Sequence, residues 1–341
     1  MSENVYIIGA GIHPFGRTDS RSGREQGVYA VREALTDAGL EWPDIECAYG
    51  GSAAAGNADI MVNELGLTSL PFTNVANGCA TGGSALAASQ QAIASGMYDL
   101  ALAVGFDKHP RGAFNAKPSD YGLPEWYGQT GMMLTTQFFA LKIQRYMQLH
   151  GISRTTLGRV AEKAFRNGTL TPHAWRRSPV DLETILNAPM IASPLGLFDC
   201  CGVSDGAAAA IVTTPEIAKA LGKKDIVSVK ALQLSVSNGS ESGHNSWDGS
   251  YFHTTRIASK KAYEEAGIKS PRDEVSMFEV HDCFSVTELV TMEDLHISET
   301  GKGWKDVLDG FYDADGKIPC QIDGGLKCFG HPIGASGLRM L

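Results

Sequence analysis

Several things are missing from this sequence, and each absence removes a class of function. No apolar run reaches the roughly twenty residues that a bilayer-spanning helix requires. The opening Met1-Ser2-Glu3-Asn4 has neither the basic stretch nor the apolar core of a secretory signal. Positive charge is in the minority, with 29 Lys and Arg against 38 Asp and Glu and a net charge of -9. Without a basic cluster, nucleic acid is an unsuitable partner. The seven cysteines (47, 79, 200, 201, 283, 320 and 328) contain no Cys-x-x-Cys pair. An odd, scattered set fits free thiols in a reducing cytoplasm, and fits neither a disulfide framework nor a structural zinc site. Finally, Gly9-Ala10-Gly11-Ile12-His13-Pro14 carries proline where a dinucleotide-binding turn needs its third glycine. That excludes a Rossmann site.

What the chain does have is length and glycine. Its 341 residues, 39 of them glycine, can bury a sizeable core and suggest two domains or one large layered unit. Val5 to Ile8 predicts an opening strand. Arg24 to Leu40 predicts a helix closed by Gly39, and Ile45 to Tyr49 a short strand. Pro71 to Asn77 and Leu100 to Phe106 read as further strands, with a helix of small residues, Ala85 to Ser95, between them. This alternation predicts a mostly parallel sheet. Residues 109 to 205 differ in character. Amphipathic pieces at Thr136 to His150 and Ser153 to Asn167, the second opening on a serine cap, point to a long helical insertion. Its Trp126, Tyr127, Met132, Met133, Phe138 and Phe139 are candidates for a ligand entrance, although most such residues pack into cores. Cys200 and Cys201 precede a turn into a strand at Ala208 to Val212 and read as structural.

The most informative stretch is Asn77-Gly78-Cys79-Ala80-Thr81-Gly82-Gly83-Ser84-Ala85-Leu86. It places Cys79 at or just before a helix N-terminus, where the helix dipole favours a thiolate and small neighbours permit close approach. Taken alone, Cys79 also fits a buried thiol in a packed turn. A repeat decides between the two. Ala30 to Leu40 matches Ala258 to Ile268 in its small, apolar and acidic positions. Gly78-Cys79-x-x-Gly82-x-Ser84-x-Leu86 reappears as Gly330-His331-x-x-Gly334-x-Ser336-x-Leu338. Two matches in the same order indicate a duplicated strand-helix unit, with His331 standing where Cys79 stands. Under pseudo-twofold packing the two would face one another, and a neutral imidazole there can take the thiol proton. Met277 to Ser285 adds His281 and Cys283 at a predicted strand end, two apart and on one side.

NGCATGGSAL at 77 to 86, VHDCFS at 280 to 285 and GGLKCFGHPIGASG at 324 to 337 together resemble the thiolase superfamily, specifically the sterol-carrier-protein-2 type. The resemblance runs in order through nearly the whole chain, and His281-Asp282-Cys283-Phe284 stands where most thiolases carry an Asn-Glu segment. It implies a layered αβαβα thiolase fold of two pseudo-symmetric halves. Residues 1–108 with 206–222 would form the first half, 109–205 a helical loop region, and 223–341 the second half. It implies acyl transfer through Cys79 as nucleophile, with His331 as its base and as a donor to the thioester oxygen. His281 would serve the enolate oxyanion hole, Cys283 would exchange the proton at the α-carbon, and the Cys79 backbone N–H would serve the second oxyanion hole. Met132, Gly334 and His244 are candidate substrate contacts, His244 lying in a Gly/Ser-rich loop that would border the coenzyme A channel.

The chemistry fits these residue types independently. A Claisen cleavage must stabilise an enolate, move one proton at carbon and hold an acyl group as a thioester, tasks for His, Cys and Cys with no metal required. Coenzyme A thioesters are then substrates rather than resident cofactors. A homodimer or tetramer is expected, in the cytoplasm, without membrane insertion, and a small OB-fold partner is possible by the resemblance to retro-aldolases of steroid degradation. The resemblance also implies that a helix and two strands would follow Leu341, so the chain reads as C-terminally truncated, incomplete in its second half and inactive alone. Retro-aldol cleavage and noncatalytic acyl-CoA binding are the rival functions.

Overall fold

The computed structural model describes residues 5–112, 117–131, 133–224, 226–238 and 248–341. Two sites expected from sequence, Met132 and His244, lie outside the described residues. Among the described residues there are eight strands: β1 (Val5–Gly16), β2 (Cys47–Gly51), β3 (Phe72–Asn74), β4 (Leu100–Asp107), β5 (Met190–Ala192), β6 (Leu195–Gly196), β7 (Asp205–Thr213) and β8 (Val227–Val229). The chain divides into two compact units. The first comprises Met1–Pro110, Ser204–Leu232 and Gly330–Leu341, and the second Arg111–Val203 and Gln233–Phe329.

The first unit is built on a six-stranded sheet in the order β3-β2-β4-β7-β1-β8. The sheet is mixed, which corrects the expectation of a mostly parallel one. β2 pairs in parallel with β3 and β4, whereas β7 is antiparallel to both β4 and β1, and β8 is antiparallel to β1. The first four strands therefore all run one way, as strand-helix alternation dictates. β7 breaks the pattern because it enters from the long helical segment rather than through a crossover of that series. Side chains of β4 and β7 alternate between two buried faces. Leu102, Val104, Phe106, Ala207, Ala209 and Ile211 join the core under helix Gly23–Ala38. Ala101, Ala103, Ala208, Ala210 and Val212 join the one under helix Thr81–Ala94.

Helix Gly23–Ala38 opens on a capping box, with Ser22 Oγ accepting from Glu25 N and the Glu25 carboxylate accepting from Ser22 N. It closes on left-handed Gly39, whose successor Leu40 donates to Leu35 O. The repeat helix His253–Ala266 closes identically, on left-handed Gly267 with Ile268 donating to Tyr263 O. Gly9 and Gly11, excluded from sequence as a dinucleotide-binding turn, lie inside continuous β1 and admit this helix at close range. A Cβ on Gly11 would stand 2.5 Å from Ala34 N, and one on Gly9 would stand 2.8 Å from Ala38 Cβ.

The second unit is mainly helical. Helices Thr135–His150 and Arg154–Asn167 match the expected insertion. Ser153 holds the N-cap position of the latter in extended conformation, but its side chain makes no capping bond. Ile143, Tyr146, Leu157, Leu195, Phe284, Leu289 and Val290 form the main core. Trp126 and Phe138, two of the aromatic candidates, are exposed, and Phe139 packs against that core. The expected strand at 277 to 281 is reduced to a single parallel bridge, Phe278 to Cys320. The Gln321 side chain takes a strand's place beside Val280, accepting from its N–H at 3.0 Å and donating to its carbonyl at 2.8 Å.

Gly11→Ala should cost about 1–3 kcal/mol or prevent folding, because backbone rather than a flexible side chain would have to give way. Gly96→Ala, at φ +70 with open space around it, should cost about 1 kcal/mol from backbone strain alone. Denaturant midpoints of the two variants check the difference.

Candidate active site

Cys79 sits in a 3-10 turn, Gly78–Ala80, that feeds helix Thr81–Ala94. The turn is held from both ends. Thr81 Oγ1 accepts from Asn77 N at 2.9 Å and donates to Gly78 O at 2.8 Å, and Asn77 Nδ2 donates to Ser84 Oγ at 2.8 Å. Gly78 is left-handed at φ +52, as is its repeat counterpart Gly330 at φ +78. The two motifs meet backbone to backbone. A Cβ on Gly82 would lie 2.9 Å from Gly334 O, and one on Gly337 would lie 2.7 Å from Gly83 N. Leu86 and Leu338, the last positions of the two motifs, enter the same core.

This approach brings His331 Nε2 to 3.2 Å from Cys79 Sγ. The imidazole is buried and its other nitrogen, Nδ1, lies 2.7 Å from Ser336 Oγ. Ser336 Oγ spends its own proton on Pro332 O at 3.0 Å. Nδ1 must therefore carry the ring hydrogen and donate to Ser336, which leaves the Nε2 lone pair directed at the thiol. Cys79 keeps an exposed side. Desolvation by the protein packed around the sulfur pushes its thiol above the ordinary pKa, partly opposed by its own backbone N–H. Burial thus favours the neutral thiol, so forming a thiolate here calls for a base, and Nε2 of His331 lies within reach of the proton.

The loop carrying His331 is anchored by residues that sequence reasoning did not single out. Asp107, fully buried at the end of β4, accepts from Ala53 N at 2.9 Å, Ala54 N at 2.7 Å and Gly334 N at 2.7 Å. His109 Nε2 accepts from Ile333 N at 3.4 Å and lies 3.8 Å from Asp107 Oδ2. Asp205 accepts from Thr18 N at 2.9 Å and pairs with Arg17, which also donates to His109 O. Burial holds the His109 ring below its ordinary pKa against the pull of the Asp107 and Asp205 carboxylates, in keeping with an unprotonated Nε2. Gly334, expected as a substrate contact, is packed inside this anchor, where a Cβ would stand 2.7 Å from Phe106 O.

His281 and Cys283 belong to the second unit. His281 is partly exposed. Cys283 is buried just ahead of helix Ser285–Asp294, its Sγ 3.4 Å from Thr287 Oγ1 and its carbonyl accepting from Cys201 N at 2.8 Å. Between them, Asp282 pins the segment: it is fully buried, accepts from Leu326 N at 2.7 Å and pairs with Lys327 at 3.4 Å.

Two predictions follow from this geometry. Ser336→Ala removes the acceptor that fixes the His331 tautomer. Alkylation of Cys79 by iodoacetamide at pH 7, read by peptide mapping, should slow about ten-fold and recover at high pH. The second concerns His109. The unfolded chain takes up a proton near the ordinary value of 6.5 while the buried ring resists it. This contribution to stability is present above that pH and is lost as pH falls through the folded value. Denaturant midpoints should fall on acidification, and His109→Gln should flatten the fall.

Comparison with known proteins identifies the family. The family description "Thiolase, N-terminal domain" matches residues 5–216, and "Thiolase C-terminal domain-like" matches residues 237–341. An acetyl-CoA acetyltransferase of Methanothermobacter thermautotrophicus is 33% identical over 98% of this chain and 88% of its own length. Sterol carrier protein 2 of Oryctolagus cuniculus is 31% identical over 98% of this chain and 64% of its own. Among solved structures, an Ltp2-ChsH2(DUF35) aldolase shares the fold at a TM-score of 0.84 and 24% identity, over 95% of this chain and 85% of the other. With both halves matched and a third of its residues shared with such a relative, the chain belongs to the thiolase family.

Proposed function

We propose that this protein is a thiolase-type acyltransferase that cleaves 3-ketoacyl-CoA with coenzyme A, or runs the reverse Claisen condensation, through an acyl-Cys79 intermediate. The observation that carries the reading is the 3.2 Å contact from Cys79 Sγ to a His331 nitrogen whose lone pair is fixed by Ser336. In the degradative direction the Cys79 proton passes to His331 Nε2 and the thiolate attacks the keto carbon. The bond between C2 and C3 breaks, the acyl group stays on sulfur, and the acetyl-CoA enolate takes a proton at C2. Coenzyme A thiol then gives up its proton, attacks the acyl-Cys79 carbonyl and releases the Cys79 thiolate. Thioester exchange is nearly balanced, so sulfur is a suitable resting place for the acyl group. The backbone N–H of Cys79 and the His331 ring are assigned to its oxyanion.

The enolate oxygen is assigned to His281 and the proton at C2 to Cys283, on the strength of the HDCF motif. Acyl-CoA is the substrate, and the same reading includes a cytoplasmic homodimer or tetramer in lipid breakdown, with a small OB-fold protein as possible partner. All seven cysteines are free, which supports a reducing compartment.

Intact-mass spectrometry after incubation with acetyl-CoA or a 3-ketoacyl-CoA tests the reading. An acyl mass shift should appear, vanish in Cys79→Ala and discharge on adding free coenzyme A. A folded protein that forms no adduct but releases an aldehyde or ketone would instead be a retro-aldolase. One that binds acyl-CoA and does neither would be a binding subunit.

A further inference from the structure

We propose that Asp107 is a positioning residue for His331, its buried carboxylate gathering the loop 331–335 onto the ends of β2 and β4 so that Nε2 stays within reach of Cys79. The inference rests on the catalytic pairing of Cys79 with His331. Three observations support it. First, Asp107 is fully buried, and the N–H groups it collects come from two separate segments, Ala53-Ala54 after β2 and Gly334 in the His331 loop. One carboxylate thus replaces the ladder partners that these N–H groups lack where the strands stop. Second, Ile333, the neighbouring residue, donates to His109 Nε2, so consecutive loop N–H groups are held by side chains at the end of β4 and just beyond it. Third, the loop packs directly on the backbone at the end of β4. A Cβ on Gly105 would lie 2.6 Å from the Gly334 carbonyl carbon, and one on Gly334 would lie 2.7 Å from Phe106 O, so the anchor sets depth as well as direction.

The consequence is specific. Asparagine at 107 offers one acceptor oxygen and turns an N–H₂ toward at least one of the three donors. The loop must then give way at Gly334, three residues from His331. A misplacement of an ångström at a proton-transfer pair costs about 10²-fold in rate. Asp107, Asp205 and Arg17 face His109, and Cys79 faces His331 Nε2.

The test is the pH profile of Cys79 alkylation by iodoacetamide in the full chain, resolved from the other cysteines by peptide mapping, at a temperature where circular dichroism shows each variant folded. Asp107→Asn should slow alkylation at pH 7 at least about ten-fold and move the profile toward that of His331→Ala, with the rates converging at high pH where hydroxide removes the proton. The double variant Asp107→Asn/His331→Ala should be no slower than His331→Ala alone, because Asp107 acts through His331. If Asp107→Asn does not fold, His109→Ala, which removes the Ile333 acceptor without altering a buried charge, should show the same displacement to a lesser degree. A profile that superimposes on the wild type, even with a lowered melting temperature, would overturn the proposal and leave Asp107 a purely structural residue. Alkylation needs no acyl-CoA, so absence of an acyl adduct would sink the thiolase reading without touching this one.

Discussion

Everything at this site depends on two polypeptide turns coming closer than side chains allow. Gly82 against Gly334, Gly337 against Gly83 and Gly105 against Gly334 are contacts in which a methyl group on Gly82, Gly337, Gly105 or Gly334 would strike backbone. Only that approach lets a histidine from residue 331 touch a cysteine from residue 79, 252 positions away. Each glycine lowers stability through its extra freedom in the unfolded chain. The compensating burial comes from the alanine-rich strands β4 and β7, whose small side chains let helices pack closely on both faces.

Much of this was legible in the sequence because it is written twice. The pairing of Gly78-Cys79 with Gly330-His331 marked the two ends of the thiol-imidazole contact, and the Ala-Gly endings at 39 and 267 marked two helices that close with the same left-handed cap. Local chemistry carries those features, so a local pattern reveals them. What escaped was whatever depends on partners distant in sequence. An acidic residue ending an apolar strand reads as a solvated terminus, and nothing near Asp107 says that Ala53 and Gly334 will bring it their N–H groups. The direction of β7 was hidden for the same reason, since it follows from where the chain re-enters the sheet. At Val280 the sequence suggested a strand, and the ladder is completed instead by the side chain of Gln321, an amide whose two ends imitate a peptide.

The two copies of the motif have diverged in a way that the tasks proposed for them, nucleophile and base, explain. The copy with Cys79 continues into a helix of 14 residues and leaves the cysteine exposed, where an incoming acyl group can reach it. The copy with His331 encloses its histidine, and the ring is oriented by Ser336 and Pro332 from its own turn. A nucleophile must be open to substrate, whereas a base must hold one tautomer, and burial serves the second need while defeating the first.

The same division explains why the His331 loop is tied by ionisable side chains rather than by a strand. A ladder would extend the sheet and fix every residue from 331 to 335 in extended geometry, which would forbid the left-handed Gly330 and the turn that lets Ser336 fold back onto the ring. A buried carboxylate imposes no such repeat. Its lone pairs accept from donors in different segments and at different angles, so the loop is anchored at Ile333 and Gly334 and remains curved around His331. Such a group is costly to bury, and the N–H groups of Ala53, Ala54 and Gly334 are what make that burial tolerable. The cost is itself a source of precision: a carboxylate that must be fully hydrogen-bonded permits the loop few positions besides the one that sets Nε2 against the thiol.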